Sequence, residues 1–61
     1  MMFSEKLRIL RYRTGLNQEK FAQKVKSTRS NIGAYEEGRA YPPPRIMKII
    51  VSFFDIPDEL S

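Results

Sequence analysis

The stretch over residues 17–38, NQEKFAQKVKSTRSNIGAYEEG, constrains the fold of this chain more than any other. A polar capping residue stands before each of two short segments with helical spacing: Asn17 before QEKFAQKV and Thr28 before RSNIGAYEE. The pattern predicts two helices joined by a tight turn. Phe21, Ala22, Val25, Ile32 and Tyr35 then face a common core, and Arg29, Ser30, Asn31, Gly33 and Ala34 are left on the outer face of the second helix. Two short helices crossing steeply, the second with a polar outer face, have the geometry that fits a DNA major groove.

The rest of the chain limits what can surround this pair. Its 61 residues have room for one domain over 1–61 with one small core. With 41% apolar residues at helical spacing, the expected class is all-α, a compact bundle of four to five short helices. The absence of cysteine excludes disulfides and thiolate metal sites, and the absence of histidine removes the usual general base and the commonest metal ligand. No metal or cofactor is expected. No apolar run approaches the roughly 20 residues that span a bilayer. The opening MMFSEKLRILRYR mixes charge into its apolar residues and lacks a signal-peptide core, so a cytoplasmic protein is expected. Net charge is +4, unevenly placed: Asp55, Asp58 and Glu59 lie near the C-terminus, so the 11 basic residues share 1–54 with only four of the seven acidic ones. A basic body suits a polyanionic partner, and equally a solvated surface.

The first helix is expected over 4–14, capped by Ser4, with Glu5 in its first turn, Leu7, Leu10 and Arg11 inward, and Met2 or Phe3 folded back beside them. Gly15 ends it, and Leu16 plugs the gap before the second helix over 18–25. The third helix is expected over 29–37, with Gly38 as its stop. Residues 39–44 form a loop stiffened by three consecutive prolines. A fourth helix over 45–54 places Met47, Ile50, Val51 and Phe54 at i, i+3, i+4 and i+7 as a buried stripe. Ile46, Ile49 and Phe53 make a second apolar face, which either completes the core or meets a partner. Asp55-Ile56-Pro57 breaks this helix, and Asp58-Glu59-Leu60 is placed to start a last turn.

The elements GLNQEKFAQKV at 15–25, RSNI at 29–32, YEEG at 35–38, and the spacing of Met47, Ile50, Val51, Phe54 and Ile56 occur in order without a gap. Together they resemble the Cro/repressor-type helix-turn-helix family of phage and bacterial regulators, over nearly the whole chain. The resemblance implies a five-helix, lambda-repressor-like bundle, its fifth helix here reduced to a turn or cut short. It also implies sequence-specific binding of double-stranded DNA by the third helix, in a transcriptional regulator expected to be a repressor. The implied arrangement is a homodimer on a palindromic operator, with helix 4 and residues 56–60 as the dimer contact.

Within that resemblance Gln18 bonds a phosphate and supports a side chain of the recognition helix. Arg29, in the first turn of that helix, is the foremost base reader, since a guanidinium bonds guanine O6 and N7 together; the alternative is a phosphate contact. Asn31 takes a base or a phosphate, Ser30 a phosphate or a water, and Ala34 is placed to touch a thymine methyl. Asn17 and Arg39 contact the DNA backbone, and Thr28 caps the helix near a phosphate. Lys26, Arg13 and Tyr41 are weaker phosphate candidates. Small Gly33 and Ala34 permit close approach to the groove with few specific bonds, which shifts weight to DNA shape. In relatives the residues matching Arg11 and Glu36 form a structural salt bridge, outside the set of DNA contacts.

Three positions depart from the family pattern. Lys26 stands where a glycine makes the turn, at a cost of about 1 kcal/mol if the lysine is left-handed. Ser27 replaces an apolar plug, and Glu37 replaces an asparagine near the DNA backbone, where a carboxylate repels phosphate. A competing reading is a protein-interaction module, such as the antitoxin half of a toxin–antitoxin pair, suggested by the apolar excess of helix 4. An enzyme is least expected: the carboxylates are scattered and no pocket is foreseen.

Overall fold

The computed structural model describes residues 2–54; the side chains of Phe53 and Phe54 and everything from Asp55 onward, including the expected last turn and the 56–60 part of the dimer contact, lie outside the described residues. The chain forms four helices, α1 (Phe3–Thr14), α2 (Gln18–Lys24), α3 (Arg29–Glu37) and α4 (Pro44–Phe54). No strand occurs among the described residues, and none of their helices is long and apolar enough to cross a membrane.

Each boundary has a local cause. Helix α1 starts one residue before the expected position, so Ser4 lies inside the first turn and is not its cap. Met2 takes the cap position, and its backbone N–H donates to the Glu5 carboxylate at 3.2 Å. Asn17 Oδ1 accepts from the Lys20 N–H at 2.8 Å to open α2, and Thr28 Oγ1 accepts from the Asn31 N–H at 3.1 Å to open α3. Gly15 (φ 76°) and Gly38 (φ 78°) end α1 and α3 in the left-handed region, where a Cβ would be strained.

Lys26 occupies the same left-handed region at φ 61°. Its N–H donates to the Gln23 carbonyl at 3.3 Å, and the Ser27 N–H donates to the Ala22 carbonyl at 2.8 Å. That pair of bonds is the Schellman closure usually built on glycine. The turn between α2 and α3 therefore keeps its geometry and carries the strain of a lysine.

The core is Leu7, Phe21, Ala22, Val25, Ile32, Tyr35, Ile46 and Ile50, with Phe3, Leu16 and Ile49 packed at its edge. All four helices contribute, and the interval 17–38 supplies five of these residues, as its periodicity predicts. The inward face of α4 keeps Ile50 of the expected stripe and departs from it at its neighbours. Ile46 and Ile50 are buried, Met47 is half-buried, and Val51 is 40% exposed. Two apolar stripes overlap on this helix, one residue apart. Pro42 is buried, Pro43 accepts the first α4 bond from the Met47 N–H at 2.9 Å, and Pro44 is the first helical residue. A proline is tolerated there because its missing N–H would have had no helical partner. The loop is thus one residue shorter than expected, and α4 turns its Ile46–Ile50 side inward.

Candidate nucleic-acid interface

The position of α3 is set by one buried acid. Glu36 is 3% exposed, on the inner side of α3, and every one of its oxygens has a partner. Arg11 Nε donates to Glu36 Oε2 at 2.5 Å and Arg11 Nη2 to Oε1 at 3.1 Å, a two-pronged contact from α1. Gln18 Nε2, at the start of α2, donates to the same Oε1 at 3.1 Å. Arg8 Nη2 donates to the Glu36 backbone carbonyl at 2.9 Å. Arg11 also reaches the Leu16 carbonyl with Nη1 at 3.0 Å, tying in the α1–α2 connection. The Glu36 carboxylate, foremost through its hydrogen bond, raises the Arg11 pKa above its ordinary value, against the opposing effect of burial. Three elements thus meet at one residue of α3.

Arg8 was not foreseen in this cluster. It lies three residues before Arg11, on the same side of α1, so helical spacing is the signal that could have found it. The bond from Gln18 to Glu36 gives the expected support between α2 and α3 its specific form.

Gly33 is the second point where α2 meets α3. The expectation placed it on the outer face; it is buried. A Cβ there would lie 3.9 Å from Gln18 Oε1 and 4.0 Å from Nε2, so the Gln18 amide lies across the α3 backbone at this position. The missing side chain leaves that room. Ala34 is half-buried, so it too contributes less outer surface than expected.

What α3 presents outward is concentrated at its N-terminal end. Arg29, Ser30 and Asn31 are all exposed, as is the cap Thr28. An open groove lined by Arg11, Asn17, Gln18, Glu19 and Arg29 runs between this end of α3 and the start of α2. Asn17, Gln18 and Arg29 are thereby brought together. Asn17 has its side-chain oxygen committed to the α2 cap, which leaves its amide N–H groups as donors. Arg39 is apart from these, beyond the C-terminal end of α3, with its Nε 2.7 Å from Glu37 Oε1. Of the weaker candidates, Arg13 and Lys26 are exposed, and Tyr41 packs its ring on Phe3 at a centroid distance of 4.9 Å. Among the described residues no group of acidic side chains could hold a metal ion.

The helix-turn-helix domain family matches this chain over residues 3–61. The chain belongs to that family. A curated relative, the HTH-type transcriptional activator BcrR of Enterococcus faecalis, is 39% identical over 61 residues. The match takes in 98% of this chain and 30% of the relative, so the chain spans under a third of that protein's length. No solved structure matches. In this helix-turn-helix domain α2 and α3 form the motif, and the Glu36 cluster fixes their relation.

Proposed function

We propose that this domain binds double-stranded DNA sequence-specifically as part of a transcription regulator, with α3 in the major groove. The observation that carries the reading is the exposed end of α3, Arg29, Ser30 and Asn31, next to a groove lined by Asn17 and Gln18, on a helix locked from behind through Glu36. A rigid element with donors clustered at its N-terminal end suits base edges, and flanking donors suit the phosphates on either side. Arg29 is the proposed guanine reader, Asn31 and Ser30 its neighbours, and Ala34 a contact for a thymine methyl. Gln18, Asn17, Thr28 and Arg39 are the proposed backbone contacts. The relative's name as a transcriptional activator supports regulation as the process. Repression and activation use the same protein–DNA contact, and the position of the bound site relative to a promoter decides between them.

Few side chains on α3 can reach bases, so one copy distinguishes a short sequence. The proposed functional unit is a homodimer on a palindromic operator, its half-sites about one helical turn apart. The test is selection of binding sequences from randomised duplex DNA at near-physiological salt, followed by a salt titration on the enriched sequence. A palindromic winner whose affinity falls steeply with salt supports the reading. Loss of preference at a guanine in Arg29→Ala assigns that contact. Recovery of no sequence, with tight binding to a protein partner in its place, overturns the reading in favour of an interaction module.

A further inference from the structure

We propose that Glu37 is a built-in attenuator of DNA affinity that acts by holding Arg39. This rests on the DNA-binding reading above. Three observations meet at the C-terminal end of α3.

The first is register. Ser30, Ala34 and Glu37 fall at i, i+4 and i+7, so they form one line along the outer side of α3. Glu37 is exposed, and it carries a negative charge on the same line as the exposed Ser30 at the other end. The buried Glu36 beside it is fully engaged with Arg11 and Gln18, so Glu37 is the α3 carboxylate that faces an approaching polyanion. The C-terminal end of a helix already carries partial negative charge, and the Glu37 carboxylate adds to it.

The second is the pairing. Arg39 Nε lies 2.7 Å from Glu37 Oε1, with both side chains more than half exposed. A guanidinium binds phosphate best with two parallel N–H groups, and Nε is one edge of that fork. With Nε on Glu37, Arg39 has the Nε/Nη2 edge occupied and its charge partly offset by the carboxylate, and only the Nη1/Nη2 edge remains for a phosphate.

The third is anchoring. The Arg39 backbone N–H donates to the Ala34 carbonyl at 2.9 Å, closing the end of α3. The Arg39 side chain therefore springs from a fixed point one turn beyond Ala34, within reach of the same surface as Glu37. A phosphate arriving there must displace the carboxylate from the guanidinium and stay beside it.

The consequence is independent of sequence, because it concerns phosphate alone. Attenuation lowers binding to every duplex and leaves discrimination to the Arg29 end of α3. Because every duplex is weakened alike, the specificity ratio is unchanged, and what falls is the absolute affinity and its salt dependence.

The experiment is a double-mutant cycle on the full chain, with Glu37→Gln, Arg39→Ala and the double variant. Affinity for the selected duplex and for a scrambled duplex is measured against salt, and thermal melting checks the fold. Glu37→Gln is expected to tighten both duplexes by about 3–10-fold and to steepen the salt dependence by roughly one phosphate's worth of counterion release. Arg39→Ala is expected to cost under about 2-fold in the native background and at least about 5-fold with Glu37→Gln present. Equal cost of Arg39→Ala in both backgrounds overturns the inference. So does weaker binding of the selected duplex by Glu37→Gln, which would make the carboxylate a direct contact, for example to a cytosine amine. If the unaltered chain shows no salt-sensitive DNA affinity, the DNA-binding reading itself falls; if it binds and Glu37→Gln changes nothing, only this inference does.

Discussion

Arg11 and Glu36 stand 25 positions apart and meet through two hydrogen bonds, Nε to Oε2 at 2.5 Å and Nη2 to Oε1 at 3.1 Å, inside the angle between α1 and α3. Each side chain is nearly excluded from water, at 10% and 3% exposure. Removing one partner leaves the other as a buried, uncompensated charge, which costs about 3–5 kcal/mol. A domain of this size has a total stability of roughly 5 kcal/mol. Arg11→Ala and Glu36→Ala are each expected to be unfolded or nearly so at 37 °C by circular dichroism. The double variant Arg11→Met with Glu36→Leu is expected to recover most of the melting temperature, because it buries no unpaired charge. The Arg11 pKa is raised, so its contribution is fully present below the unfolded-state pKa and lost only as pH rises through the folded value. That window lies in strong alkali, and the guanidinium side of the pair is expected to add no pH dependence between about pH 5 and 9.

Lys26 supplies a second stability test. It holds φ 61° in a turn whose hydrogen bonds suit a glycine. Relief of the left-handed strain gains about 1–2 kcal/mol, and the added freedom of a glycine in the unfolded chain offsets about 0.5–1 of it. Lys26→Gly is expected to stabilise the domain by about 0.5–1 kcal/mol, several degrees in melting temperature. Lys26→Ala keeps the Cβ and is expected to bring no such gain. Equal melting temperatures for the two would show that the turn carries no strain of this kind.

Much of this was legible in the sequence because local chemistry decided it. Asn17, Thr28, Gly15 and Gly38 mark helix ends by rules that act within a few residues, and the structure uses all four in that way. The five core positions of 17–38 follow from spacing alone. Helix α4 was harder for the opposite reason: with apolar residues on two adjacent faces, periodicity identifies Ile50 as inward but cannot choose between Ile46 and the pair Met47 and Val51 as its buried neighbours. Gly33 was misplaced because its burial depends on a side chain from another helix, the Gln18 amide. The Glu37–Arg39 pair lay outside the sequence reading because two exposed side chains on either side of a helix stop have no fixed spacing rule.

Gly33 allows a prediction with two arms. A Cβ added there meets the Gln18 amide at ordinary van der Waals distance, with no backbone closer. Gly33→Ala is therefore expected to stabilise α3 by about 0.5–1 kcal/mol through helix propensity. Gly33→Leu must displace Gln18 from Glu36, and it is expected to lose that gain and to weaken DNA binding. Comparable melting and DNA affinity in the two variants would show that the Gln18 amide does not depend on the space at Gly33.

Gln18 is the residue where fold and proposed function overlap, and two substitutions separate them. Gln18→Ala removes one hydrogen bond to Glu36 and leaves both from Arg11, so the expected loss of stability is about 1 kcal/mol. Its larger expected effect is on DNA, a several-fold loss of affinity that is the same for every sequence and leaves the salt dependence unchanged, because a neutral amide releases no counterion. Gln18→Glu keeps the shape and sets a second carboxyl about 3 Å from Glu36 Oε1, where Arg11 already has all three of its donor nitrogens engaged. Repulsion raises the folded-state pKa of the introduced carboxyl above its unfolded value near 4.3. A raised pKa contributes stability below the unfolded value and loses it as pH rises through the folded one. Gln18→Glu is accordingly expected to be destabilised at pH 7 and to approach the parent protein on acidification to about pH 4. Urea melts of the two proteins at both pH values measure this directly. A destabilisation that did not shrink on acidification would mean that the side chain at 18 leaves Glu36 rather than facing it.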